Sequence, residues 1–449
     1  MTSPDNRHFA DAALQASRRA GTSIWFDKAQ RFNAAIAAAR FRLDNGLRIV
    51  LQPDRRAPVF AFQSWFKVGS KHEDPNRTGL AHLFEHLMFK GTRNHPTGQF
   101  DREMERRGTQ TNAATWVDWT FYTEALAARG DNLKTVLDFE VDRLSNLVLD
   151  EQTFASELEV VKNERRMSVE DHVPGLIDEQ LAALAFTRHP YRWPVIGRME
   201  HLEAASLHDV ERFYRSFYAP NNAILVLTGE LDVVETLAQI AARYAPVAAQ
   251  PVPVFSAAPE PEQTEPRWCW LERPTMTTQI GLGFHAPAES AQAFPALQVL
   301  GEILFTGDNA RLYERLVTRE HMATDVQGGA GAYAEPGLFE ISLSLRNGVD
   351  PRAAIEVVQE ELQAVGRELT AEQVDKARNN LELGLLESFQ DAEDCAEMLG
   401  HYETNYNDFG LAYDEIERCR SVGAAEVDQV ARQIFKPSNR SAVIVQPEN

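Results

Sequence analysis

Cysteine is scarce in this chain, with only Cys269, Cys395 and Cys419 among 449 residues. They are odd in number, far apart and without C-x-x-C spacing, so a disulfide framework is not expected and three buried or inert thiols are. Long apolar runs are missing too, and none reaches the length that crosses a bilayer. Residues 1–20 lack an apolar segment and carry Asp5 and Asp11. No secretory signal is read there, so the cytoplasm is the expected compartment, or the periplasm if a leader has been trimmed. Basic charge is in deficit, with 45 Lys and Arg against 66 Asp and Glu and a formal net charge of −21. Such a surface repels nucleic acid. It aids solubility and steers cationic partners inward. The length exceeds what one core sustains, so two or more domains are expected.

The pattern along the chain divides it. Residues 1–40, rich in Ala and Arg, read as an N-terminal helical extension. Leu43, Leu47, Ile49 and Leu51 alternate around Asn45-Gly46 as strand, turn and strand, and residues 59–68 read as a further strand. Residues 79–90 read as a helix ended by Gly91. Helix and strand signals alternate to about residue 245. Residues 246–266 hold six prolines among Ala, Glu and Gln and read as a linker. The expected domains are therefore 41–245 and 267–449. These halves look related. Tyr218-Ala-Pro-Asn-Asn resembles Phe435-Lys-Pro-Ser-Asn, and Pro220 and Pro437 stand 217 positions apart, as do Glu85 and Glu302. A shared offset at distant places points to a duplicated unit. At that offset His82 becomes Val299 and His86 becomes Ile303, so the second half would lack metal ligands.

The chemistry concentrates in His82-Leu-Phe-Glu85-His86. At about 100° per residue, His82 and His86 lie roughly 40° apart on one helix face, where both imidazoles can reach one metal. Glu85 lies about 60° from His82 and can approach a metal-held water without being a ligand. This is the inverted order of the H-E-x-x-H motif. A third ligand must come from elsewhere. Phe154, Glu157, Val160, Val161 and Glu164 recur at helical spacing, with two carboxylates on an otherwise apolar face. Chemistry alone does not rank Glu157 against Glu164.

The stretch Gly79-Leu-Ala-His-Leu-Phe-Glu-His-Leu-Met-Phe-Lys-Gly-Thr92 resembles the pitrilysin family, in the branch of the mitochondrial processing peptidases and their bacterial relatives. So do Asn112-Ala113, Thr115, Asp118, Thr120 and Tyr122, the segment Phe154 to Glu164, His189-Pro-Tyr-Arg-Trp-Pro-Val-Ile-Gly197 and Tyr218-Ala-Pro-Asn-Asn222. The resemblance implies an α+β fold of two homologous halves, each an antiparallel sheet flanked by helices, enclosing a substrate chamber. It implies one zinc ion per chain on His82, His86 and Glu164, with Glu85 as general base and Glu157 orienting the site from behind the ligands. Asn112 and Ala113 would sit on an edge strand to which a peptide substrate adds. Asp118 would fix a histidine tautomer or act as a surface or capping residue.

One departure stands out. Active members carry an Arg and a Tyr seven residues apart in the second half, thought to hold the substrate. Here those positions are Val317 and Thr324. Arg315 and Arg319 are displaced by two residues, and Tyr333 has Val326, not an arginine, seven positions before it. The expected reading is a zinc endopeptidase whose homologous partner supplies the clamp in a heterodimer, with a homodimer as the alternative. Neither a nucleic-acid nor a membrane partner is expected. The rivals are a non-catalytic core-type subunit of a larger complex and a narrow maturation peptidase for one protein.

Overall fold

Twelve strands assemble into two sheets in the computed structural model, which describes residues 4–109 and 111–448. The first sheet takes β1 (Ile24–Arg31), β2 (Ala37–Leu43), β3 (Arg48–Pro53), β4 (Val59–Phe66), β5 (Thr111–Thr115), β6 (Thr120–Ala127) and β7 (Ala223–Gly229). Their order is β1-β2-β3-β7-β4-β6-β5. The second takes β8 (Arg267–Arg273), β9 (Gln279–Ala286), β10 (Ala323–Ala330), β11 (Gly337–Leu345) and β12 (Arg440–Pro447), in the order β10-β11-β9-β12-β8. Read from the opposite end, the second sheet repeats β3-β7-β4-β6-β5 strand for strand. The duplication expected from one offset thus extends to five strands of each sheet, with β1 and β2 added to the first: both halves are α+β units of one design.

The sheets are mixed rather than antiparallel. β7 runs parallel to β3, and β12 runs parallel to β8. The cause is connectivity, because the strand that enters each sheet beside its first long strand comes from the far end of that half, and only a long connection permits parallel pairing. The central strands show the sequence consequence. β7, Ala-Ile-Leu-Val-Leu-Thr-Gly, is buried at every position, as expected for a strand covered on both faces.

The N-terminal segment differs from expectation. A helix spans Pro4–Ala20, and residues 1–3 lie outside the described ones. The remainder is not helical: β1 and β2 extend the first sheet at the edge opposite β5. The Ala-rich run Ala37-Ala38-Ala39 mimics a helix in composition, yet Ala38 and Ala39 are fully buried, and small side chains suit a strand packed beneath other elements. Residues 248–264 carry no helix or strand.

Contacts divide the chain into two compact units whose limits differ from the sequence-based ones. One comprises residues 1–161, 195–255 and 387–413; the other comprises 162–194, 256–386 and 414–449. In the first unit the helix Ala392–Tyr406, from late in the chain, covers β4 and β7, and Gly400 leaves room for the Trp65 indole. In the second, the helix Val173–Ala185, from the first half, packs on β8, β9 and β12. Each sheet is therefore completed by a helix from the other half of the sequence, which local periodicity cannot reveal. No described helix is long and apolar enough to cross a membrane. The cysteines are free thiols; Cys395 and Cys419 are buried and Cys269 is half-buried.

Candidate metal centre

The motif forms the helix Leu80–Leu87, eight residues within the expected 79–90. Leu80, Ala81, Leu83, Phe84 and Leu87 are buried, whereas His82, Glu85 and His86 lie on the half-buried face. The inner face is held by aromatic packing. The Phe84 ring lies 4.2 Å from that of Tyr218 and 5.4 Å from that of Tyr214. The helix begins at Gly79, whose φ of 96° is left-handed and suits glycine. A Cβ there would meet the Ile196 carbonyl oxygen at 2.7 Å.

The helix geometry brings the imidazoles of His82 and His86 together, with ring centres 5.0 Å apart. The third donor comes from the helix Glu151–Arg165. Its last turn carries Glu164. One donor atom each from His82, His86 and Glu164 lies within 4.8 Å of the others. Two imidazole nitrogens and one carboxylate oxygen, with a position left open, form a donor set suited to a catalytic zinc ion, which binds such atoms at about 2.0–2.2 Å. The residues present fit the metal.

The other glutamate of the pair takes a different place. Glu157 is buried; its Oε2 lies 3.9 Å from His86 Nδ1, and its Oε1 accepts Lys90 Nζ at 2.9 Å. Of the two glutamates, it is Glu164 that forms a candidate metal-binding group with both histidines among the described residues. Phe154 and Val161 are buried on the same helix, but Val160 is 45% exposed. It stands one residue off the stripe, at about 100° per residue.

Beneath the motif helix, Tyr122 Oη and Tyr218 Oη stand 3.0 Å apart in a buried pair. Burial pushes both phenols well above their ordinary range, and the Glu85 carboxylate pushes in the same direction. Both therefore stay protonated. Near the start of the helix lies a residue that sequence reasoning missed. Glu73 is 8% exposed, and its carboxylate accepts the Gly79 and Ala81 N–H groups. Burial pushes its carboxyl up to about 8, against those backbone bonds. The only signal for it was an acidic residue in a polar loop a few positions before the motif.

Among the described residues β5 pairs only with β6 and so forms an edge of the first sheet, and the motif helix packs against it. Asn112 is exposed on this strand, while Ala113 turns toward the core. Asp118 is not a surface residue. It is buried and pairs with Lys71 Nζ at 2.7 Å.

In the second unit, the positions equivalent to the missing clamp are occupied otherwise. Val317 packs against the core and the Thr324 hydroxyl donates to the Ser344 carbonyl at 3.2 Å. Arg315 is bound by Glu320, Glu360 and Glu361, and this acidic cage raises its pKa further. Arg319 is exposed. Tyr333 packs on Tyr191, with ring centres 5.0 Å apart.

Residues 48–198 match the model of the insulinase family (peptidase family M16), and residues 204–381 match that of the peptidase M16 inactive domain. The chain is 26% identical over 417 residues to the zinc protease PqqE of Helicobacter pylori, covering 90% of this chain and 92% of that protein. It is 25% identical over 407 residues to an uncharacterized zinc protease of Streptomyces coelicolor, covering 88% and 87%. The crystal structure of a protease from Helicobacter pylori superimposes with a TM-score of 0.86 at 25% identity, over 91% of this chain and 99% of that one. A peptidase M16 inactive domain from Pseudomonas fluorescens shares the fold, with a TM-score of 0.82 at 16% identity over 92% and 98%.

Proposed function

The chain belongs to the M16 (pitrilysin) peptidase superfamily, and on that premise we propose that it is a zinc-dependent endopeptidase acting on short or unfolded polypeptides. The observation that carries this reading is the convergence of donor atoms from His82, His86 and Glu164 within 4.8 Å, with Glu85 on the same helix face.

Neutral imidazoles of His82 and His86 and the ionised carboxylate of Glu164 would hold the metal. Zinc, when bound, supplies Lewis acidity that polarises the scissile carbonyl and lowers the pKa of a water from about 15.7 toward ~7. Glu85 takes the proton from the attacking water and passes it to the leaving nitrogen, so one carboxylate serves as base and then as acid. Glu157, beside His86 and neutralised by Lys90, holds that ring in place without binding the metal. An extended peptide adds to the edge of β5 at Asn112 and Ala113. Its main-chain groups there pair as a further strand, and the motif helix lies alongside.

A second feature favours a partner. Val317 faces the core, Thr324 bonds the backbone and Arg315 is caged by three glutamates. None of them is placed as a substrate clamp, so a homologous subunit carrying the Arg and Tyr would complete the site in a heterodimer. The intact ligand set argues against a purely structural core-type subunit. The test is cleavage of a pool of unstructured peptides, read by mass spectrometry, with the zinc-loaded chain alone and with Glu85→Gln. Losing the base costs about 10²–10⁴-fold in rate. Full-rate cleavage by the isolated chain that disappears in Glu85→Gln establishes the peptidase and overturns the heterodimer. Cleavage that persists in Glu85→Gln overturns the mechanism.

A further inference from the structure

The motif helix has no side-chain cap of its own. Its N-cap is Gly79, which offers no acceptor, and the first four N–H groups of a helix have no partner within it. A residue outside the helix fills this role. Glu73 Oε2 accepts the Gly79 N–H at 2.9 Å and Oε1 accepts the Ala81 N–H at 2.7 Å, with the Leu80 N–H acting on the same carboxyl. The side chain is buried, so little solvent competes for these bonds.

The loop that carries Glu73 is itself fixed. The Ser70 N–H donates to the Trp116 carbonyl at 3.2 Å and the Lys71 N–H to the Val117 carbonyl at 3.0 Å. Trp116 and Val117 form the turn between β5 and β6. Gly69 has no room for a side chain against the same turn. Glu73 is therefore fixed against the hairpin that carries the edge strand β5, and its carboxyl oxygens grip the start of the helix that carries His82, Glu85 and His86.

We infer that Glu73 is a positioning residue of the metal centre: it fixes the motif helix relative to the β5–β6 hairpin, and so sets the metal-facing residues against the strand to which substrate adds. The inference rests on the zinc-peptidase reading. Glu73 touches neither metal nor substrate and acts through the Gly79, Leu80 and Ala81 backbone. A carboxamide cannot replace it fully, because its NH₂ group would confront one of those N–H donors.

The test compares the full chain with Glu73→Gln and Glu73→Ala. Zinc affinity is measured by chelator competition, and the geometry of the ligands by the visible absorption bands of the Co²⁺-substituted protein. The expected result is weaker zinc binding by about tenfold or more, the lower end for supporting groups around a metal site, with altered Co²⁺ bands and a smaller change for Gln than for Ala. A merely structural role would lower the thermal midpoint while leaving the zinc constant and the Co²⁺ bands of the folded variants unchanged, and that result overturns the inference. If Glu73→Ala does not fold, Glu73→Gln, which keeps the side-chain length, decides the matter by the same two readouts. A wild-type chain that takes up neither metal overturns the zinc reading itself. Wild-type uptake with unchanged variants overturns this inference alone.

Discussion

Substituting Gly79 by Ala tests whether the start of the motif helix depends on a left-handed backbone in tight quarters. Gly79 has a φ of 96°, and an L-residue in the left-handed region costs roughly 1–2 kcal/mol. The added Cβ would also stand 2.7 Å from the Ile196 carbonyl oxygen, 2.8 Å from Leu202 Cδ2 and 3.0 Å from the Gly197 Cα. The leucine methyl can move, but the other two contacts are backbone. Overpacking of this kind costs about 1–3 kcal/mol. Together the two effects amount to about 2–5 kcal/mol, which corresponds to a ~30-fold to several-thousand-fold loss of protection at tenfold per 1.4 kcal/mol. The assay is native-state hydrogen exchange read by mass spectrometry on peptides that cover residues 80–90, with peptides from β12 in the other unit as the internal control. Motif-helix protection within about threefold of wild type would refute the reasoning, since neither the strain nor the close approach of Gly197 would then matter.

Glu157→Ala removes the carboxylate beside His86 and leaves Lys90 without that counter-charge; zinc affinity should fall on the order of 10–100-fold, as for other groups that support metal ligands. Unchanged affinity in a chelator competition would show that Glu157 merely neutralises Lys90. A pH dependence is expected from Glu260, in the linker. Partial burial opposes its ionisation, but the Thr187 hydroxyl and the His189, Thr187 and Arg188 N–H groups outweigh this and hold its carboxyl at about 2. A depressed carboxyl stabilises the fold above its ordinary value of 4.5, and the contribution is lost as pH falls from there through about 2. Thermal midpoints of wild type and Glu260→Gln should therefore differ at pH 7 and converge toward pH 2. A gap that does not vary with pH contradicts this.

Much of the site was legible because its chemistry is local. His86 follows His82 by four positions on one helix, and the 3.6-residue period places both imidazoles on one face. The duplication was legible from a constant offset, and it extends to the strand order of both sheets. What stayed hidden depends on distance along the chain. The parallel pairing of β3 with β7 joins Arg48 to Ile224, a relation no local pattern encodes. The exchange of helices between the two compact units, with Ala392–Tyr406 in one and Val173–Ala185 in the other, is hidden for the same reason. The choice of Glu164 over Glu157 needed the family resemblance, since both sit on one helix face seven residues apart. β1 and β2 were misread because Ala-rich sequence is compatible with a helix, and only burial against other elements selects the strand. Glu73 was hidden because a cap supplied from another segment leaves no fixed spacing in sequence.

The most direct test of the metal centre is anomalous diffraction from crystals of the zinc-loaded chain, collected on both sides of the zinc absorption edge. The expected result is one peak per chain at about 2.0–2.2 Å from a nitrogen of His82, a nitrogen of His86 and a carboxylate oxygen of Glu164, with Glu85 and Glu157 beyond bonding distance. A peak that excludes Glu164, or no peak among these three residues, would contradict the proposed zinc site.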